Sequence, residues 1–147
     1  MILLTHLLLG ALIGKNIDNI YIAIILSIIS HYFLDIFPHN EYSIENINNN
    51  QWHKSTLDFL KVFTDFMIGI LIIFMLVDYN FKIYLCSVVA IIPDGLSLFY
   101  KILPVKILKK HSYFHEDKIH FLKHKKISNI WRLATQIIII TILILLF

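Results

Sequence analysis

The feature that most constrains this chain is a series of apolar runs, Ile2–Ile13, Ile20–Phe37, Leu57–Val77, Phe81–Tyr100 and Leu133–Phe147. Little polar sequence is left between them. Runs of this kind must satisfy their own backbone hydrogen bonds, and a helix does so within one segment. The second, third and fourth approach the roughly 20 residues that cross a bilayer core. Composition agrees: 16% of the 147 residues are charged and 58% are hydrophobic, against about 25% charged in an ordinary soluble domain. A soluble domain of this length has too much surface to hide that much apolar side chain. The expectation is all-α: a single membrane domain over residues 1–147, an integral membrane helical bundle of about five hydrophobic helices. Disorder is excluded by the apolar content. The lone Cys86 excludes an internal disulfide or a thiolate cluster.

The connections are residues 14–19, 38–56, 78–80 and 101–132. Pro38 marks the end of the second run, and Pro93 should kink or interrupt the fourth. Gly10 and Gly14 form a small-residue step that lets a neighbouring helix approach the first run closely. If every run spans, Lys54, Lys61, Lys101, Lys106, Lys109, Lys110, Lys118, Lys123, Lys125, Lys126 and Arg132 fall on one side, and Lys15 and Lys82 on the other. The positive-inside rule then makes 101–132 a basic cytoplasmic loop and puts the N-terminus in the cytoplasm. The net charge of +3 is thereby read as membrane orientation, with membrane lipid as the partner and no nucleic acid.

Ionisable side chains inside apolar sequence are expensive and mark a site by default. His6, His31, Asp35, Asp65 and Asp94 lie in the runs, and His39 follows Asp35 by four residues. His31 and Asp35, also four apart, share one helical face. The assumed topology brings all of these to one depth. Imidazoles with carboxylates suit Zn²⁺ best, with Mn²⁺ or Fe²⁺ also accommodated. The expected metal ligands are His6, His31, Asp35, His39, Asp65 and Asp94, more than one tetrahedral ion uses. The basic loop adds His111, His115, His120 and His124. Helical spacing puts His111 with His115 on one face and Glu116 with His120 on another. His115 and His120 are the candidate catalytic acid/base groups, since imidazole titrates near neutrality. Ser97 reads as a helix-packing residue.

THLLLGALIGK at residues 5–15, SHYFLDIFPHNEY at 30–42, IIPD at 91–94 and FHEDKIH at 114–120 together resemble the membrane-bound metal-dependent hydrolases. That broad family includes LexA-binding, inner-membrane-associated hydrolase-like proteins of bacteria. Thr5–His6, Pro93–Asp94 and His31/Leu34/Asp35 carry the likeness. The family's P-D-x-D and H-R-G-x-T-H-S elements are missing, and the order of motifs differs. HYFLDIFPH at residues 31–39 also resembles a short element of zinc-dependent phospholipases C. The resemblance implies a divalent-metal site and a place in the bacterial inner membrane. The donor cluster, large enough for two or more ions and set toward the cytoplasmic leaflet, leads to the expectation of a hydrolase acting on an amphiphile such as a lipid-linked phosphoester. A metal-ion or proton transporter and a non-catalytic membrane scaffold are the alternatives. The oligomeric state is left open by the sequence.

Overall fold

The computed structural model describes residues 1–42, 45–49 and 51–147, without the side chains of Asn48, Lys123 and His124. His124, a candidate on sequence, thus lies outside the described side chains. Among the described residues the helices are α1 (Leu3–Asn16), α2 (Ile20–Asp35), a single turn α3 (Glu45–Asn48), α4 (Thr56–Leu76), α5 (Phe81–Ala90), α6 (Ile92–Ile102), α7 (Lys106–Tyr113) and α8 (Asn129–Leu145). Their starts follow local chemistry. The Asn19 side chain accepts from the amides of Tyr21 and Ile22, Asn80 from that of Lys82, and Ser128 from that of Trp131. Each cap satisfies amides that a first turn leaves without partners.

The chain is all-α, but it is not a bundle of five spanning helices. Helices α1, α2 and α8 have 14, 16 and 17 residues. At 1.5 Å per residue they reach roughly 21–26 Å, short of a bilayer core of about 30 Å. Among the described residues only α4, with 21 residues, is long and apolar enough to cross by itself. The fourth apolar run is two helices, α5 and α6, bent by 48° where they meet. Pro93, near the start of α6, has no amide hydrogen and cannot continue the ladder from α5. The supposed loop 101–132 is largely helical too: α7 runs into a π-helical turn over Phe114–Ile119 and then a 3₁₀ turn.

Helix α1 occupies the middle, packed against α2, α4, α5 and α8. Its Leu3, Leu7, Leu8 and Ala11 form a core with Ile73, Ile83 and Leu143. The Gly10–Gly14 step faces α5. A Cβ on Gly10 would stand 2.5 Å from the Cys86 carbonyl oxygen, and one on Gly14 would stand 2.9 Å from Ile83 Cα. The Ser87 hydroxyl donates to the Leu7 carbonyl across the same seam, at 3.0 Å. The helices around α1 turn apolar faces outward: Ile25, Ile29 and Phe33 on α2, Leu71 and Phe74 on α4, and Ile138 and Ile142 on α8 are exposed.

Candidate metal centre

The site gathers where α2 ends. Helix α2 presents His31 and Asp35 one turn apart, and both are buried. The chain then turns at Pro38, and the His39 ring folds back so that Nδ1 donates to the Phe37 carbonyl at 2.7 Å. From the central helix, His6 brings Nε2 to 3.3 Å from Asp35 Oδ1 and stacks on the His31 ring at 4.1 Å between centroids. Asp94 enters from the first turn of α6, a position where the helix dipole favours a carboxylate. Its Oδ1 lies 3.7 Å from His31 Nε2 and 3.8 Å from His115 Nε2.

The π-helical turn delivers the remaining imidazoles. In an α-helix, residues five apart point roughly 140° away from each other. Here the amide of His120 donates to the carbonyl of His115 at 3.2 Å, the wider turn that π geometry provides. His115 and His120 therefore face the same way, with their Nε2 atoms 3.4 Å apart. The separate faces expected from α-helical spacing are corrected by this turn. His111 stays at the edge, paired with the Tyr32 hydroxyl at 3.0 Å.

Asp35 is the hub. Its Oδ2 stands 3.1 Å from Nε2 of His31, His115 and His120 alike. Its Oδ1 meets His6, His39 at 3.9 Å, and the α-amino group of Met1. The outer ring atoms are fixed as well. His31 Nδ1 donates to the Ala90 carbonyl at 2.8 Å, which the end of α5 leaves available. His120 Nδ1 donates to Glu41 Oε1 at 3.0 Å, and His115 Nδ1 pairs with Ser97 Oγ at 3.1 Å. Carbonyl and carboxylate partners only accept, so His31, His39 and His120 carry hydrogen on Nδ1 and turn Nε2 inward. This is how metal-binding histidines are held. A serine hydroxyl can donate or accept, so His115 can release its Nε2 without losing Ser97.

Among the described residues two groups of donors lie close enough to hold a divalent ion: His31, Asp35, Asp94 and His115, and then Asp35, His39 and His120. His6 supplies a further sign of fit. Among the described residues its buried Nδ1 has no hydrogen-bond partner, and its Nε2 meets only the Asp35 carboxylate, an arrangement that is costly unless something else engages the ring. Burial, and after it the proximity of His31, pushes its imidazolium down to about 3. Burial and the Met1 amino group likewise push His39 down to about 4. Burial also disfavours charge on His120, but hydrogen bonds to Asp35 and Glu41 outweigh it and push that imidazolium up to about 9.

Asp65 does not join these groups. Its Oδ2 accepts from the Leu4 amide at 3.0 Å and from the Tyr42 hydroxyl, closing the start of α1. Glu41 and Ser97 were missed on sequence, although Glu41 follows His39 by two residues and Ser97 follows Asp94 by three on one helical face. No family model matches the chain, and no curated protein or solved structure matches it either. The buried His/Asp cluster thus stands on its own geometry, without support for the family resemblance.

Proposed function

We propose that this chain is a membrane-associated, metal-dependent hydrolase acting on a lipid-linked phosphoester or a similar amphiphile. One observation carries the reading: a cavity of about 260 Å³ is lined by Asp94, His115 and His120 of the cluster and also by Leu3, Phe59, Val62 and Leu98. A polar reacting group and an apolar chain would find matching surfaces in one cleft, as small-molecule sites require. Lys101 lines the same cavity and brings positive charge toward an anionic head group. When bound, a divalent ion, with Zn²⁺ the first choice and Mn²⁺ or Fe²⁺ next, would polarise the ester and activate water as the nucleophile. The chain's own part is to hold donors in register, to keep Asp35 and His31 dry, and to open the cluster to the cavity along Asp94, His115 and His120. His115 and His120 fit this scheme as donors, since a ring with Nε2 on an ion and Nδ1 hydrogen-bonded has no nitrogen free to carry a proton.

Membrane association is supported by α4, in which only Asp58, Gly69 and Ile73 of 21 residues are buried. A helix apolar on nearly all sides belongs in a core or in lipid, and this one has little core around it. We place it in the inner membrane, with the lysine-bearing 101–126 segment toward the anionic cytoplasmic leaflet. The test is release of head group or phosphate from lipid phosphoesters by detergent-purified protein, metal-stripped and then reconstituted with Zn²⁺ or Mn²⁺. Turnover that returns with metal and is lost in folded His115→Ala supports the reading. Absence of turnover in the metal-loaded protein across glycerophospholipids and polyprenyl phosphoesters overturns it.

A further inference from the structure

We infer that the centre is built for two divalent ions that share the Asp35 carboxylate, a step that rests on reading the cluster as a metal centre. The two donor groups have one residue in common, and it is Asp35. Its Oδ2 faces His31, His115 and His120, while its Oδ1 faces His6, His39 and the Met1 α-amino group, so the three-donor group draws on both oxygens and the four-donor group on Oδ2. Five imidazoles and two carboxylates exceed what one tetrahedral ion takes up. Divided at Asp35, the same side chains give two sites of ordinary size.

The two sites differ in kind. His31, Asp35, Asp94 and His115 offer four donors, enough to close a first site by themselves. Asp35, His39 and His120 offer three, and three protein donors with one open position is the pattern of ions that engage water or substrate. The histidines of the second site, like those of the first, have prepared outer contacts. His39 is held by the Phe37 carbonyl and His120 by Glu41, so both Nε2 atoms are aimed before any ion arrives. His6 turns Nε2 toward the same Asp35 oxygen as His39, and among the described residues its buried Nδ1 has no hydrogen-bond partner. It is the natural reserve donor for the second ion. Both sites border the one cavity, through Asp94 and His115 on one side and His120 on the other. A phosphoester seated there would touch both ions together.

The full chain in detergent micelles, stripped with chelator, is titrated with Mn²⁺ and the bound metal counted by elemental analysis. Two equivalents are expected at saturation, falling to one in His39→Ala. The electron paramagnetic resonance spectrum of the native protein gives a second readout that needs no variant. Two ions sharing a carboxylate produce a spin-coupled spectrum, whereas isolated ions give separate six-line signals. Saturation at one equivalent, or two ions without coupling, overturns the inference even if His39→Ala fails to fold. The outcomes also separate the two proposals. Metal-dependent turnover with a single ion would sink the shared centre alone, and two coupled ions without lipid hydrolysis would sink the hydrolase alone.

Discussion

At the scale of single residues, His120 is where protons and metal compete. Its Nε2 hydrogen donates to Asp35 Oδ2 at 3.1 Å, and the imidazolium persists up to about 9. An ion that takes Nε2 must displace that proton. His6 and His39, held near 3 and 4, are already neutral at pH 7 and offer no such competition. Affinity for Mn²⁺ should therefore rise with pH between 7 and 9, by up to about tenfold per unit, and flatten above that. Competition titrations at three pH values measure the slope, and a flat profile would show that His120 is not a ligand. Glu41→Gln removes the carboxylate behind the ring, and loss of such an outer partner weakens metal binding by roughly 10–100-fold. The same change should move the plateau to lower pH, because one of the groups sustaining the imidazolium is gone.

Among the elements, α1 decides whether the site can assemble, since it carries His6 through the middle of the fold. Gly10→Ala would press a methyl group against the Cys86 backbone, where only movement of a whole helix gives relief. A loss of about 1–3 kcal/mol in unfolding free energy is expected. Gly95→Ala meets nothing within 4 Å and should not lower stability. Asp65→Ala tests a different junction. It leaves the half-buried Leu4 amide and Tyr42 hydroxyl without this acceptor, at a cost of about 1 kcal/mol, while the ions bound per chain stay the same. A drop in metal content would instead return Asp65 to the ligand set. These contrasts show what was legible in the sequence. The four-residue step from His31 to Asp35 and the stop at Pro38 are local, and local spacing reveals them. Hydropathy alone fused α5 with α6, because it records apolarity and not direction, while Pro93 marked the break between them. It also could not tell Asp65, which caps a helix, from Asp35, which faces the imidazoles. The π-helical turn left no mark at α-helical spacing, so the meeting of His115 with His120 was invisible there.

On the scale of the whole molecule, the donors come from elements far apart in sequence: α1, α2 and its following turn, α6 and the π-helical turn. An ion held among them binds the folded chain and not the unfolded one, so occupancy adds to stability by mass action. At a free metal concentration about 100 times the dissociation constant the gain is about 2.7 kcal/mol. For a chain of this size that corresponds to a rise in Tm of roughly 5–10 °C, which chelator should reverse. The gain need not be spread evenly. Lys118 is exposed yet lies between His115 and His120, so cleavage after it requires the π-helical turn to open. Lys106 is also exposed, at the start of α7 and away from any donor. Limited trypsin digestion should therefore slow after Lys118 when metal is added, with cleavage after Lys106 little changed. Equal protection at both positions would mean that metal tightens the molecule without passing through the π-helical turn, and His115 and His120 would lose their place in the centre.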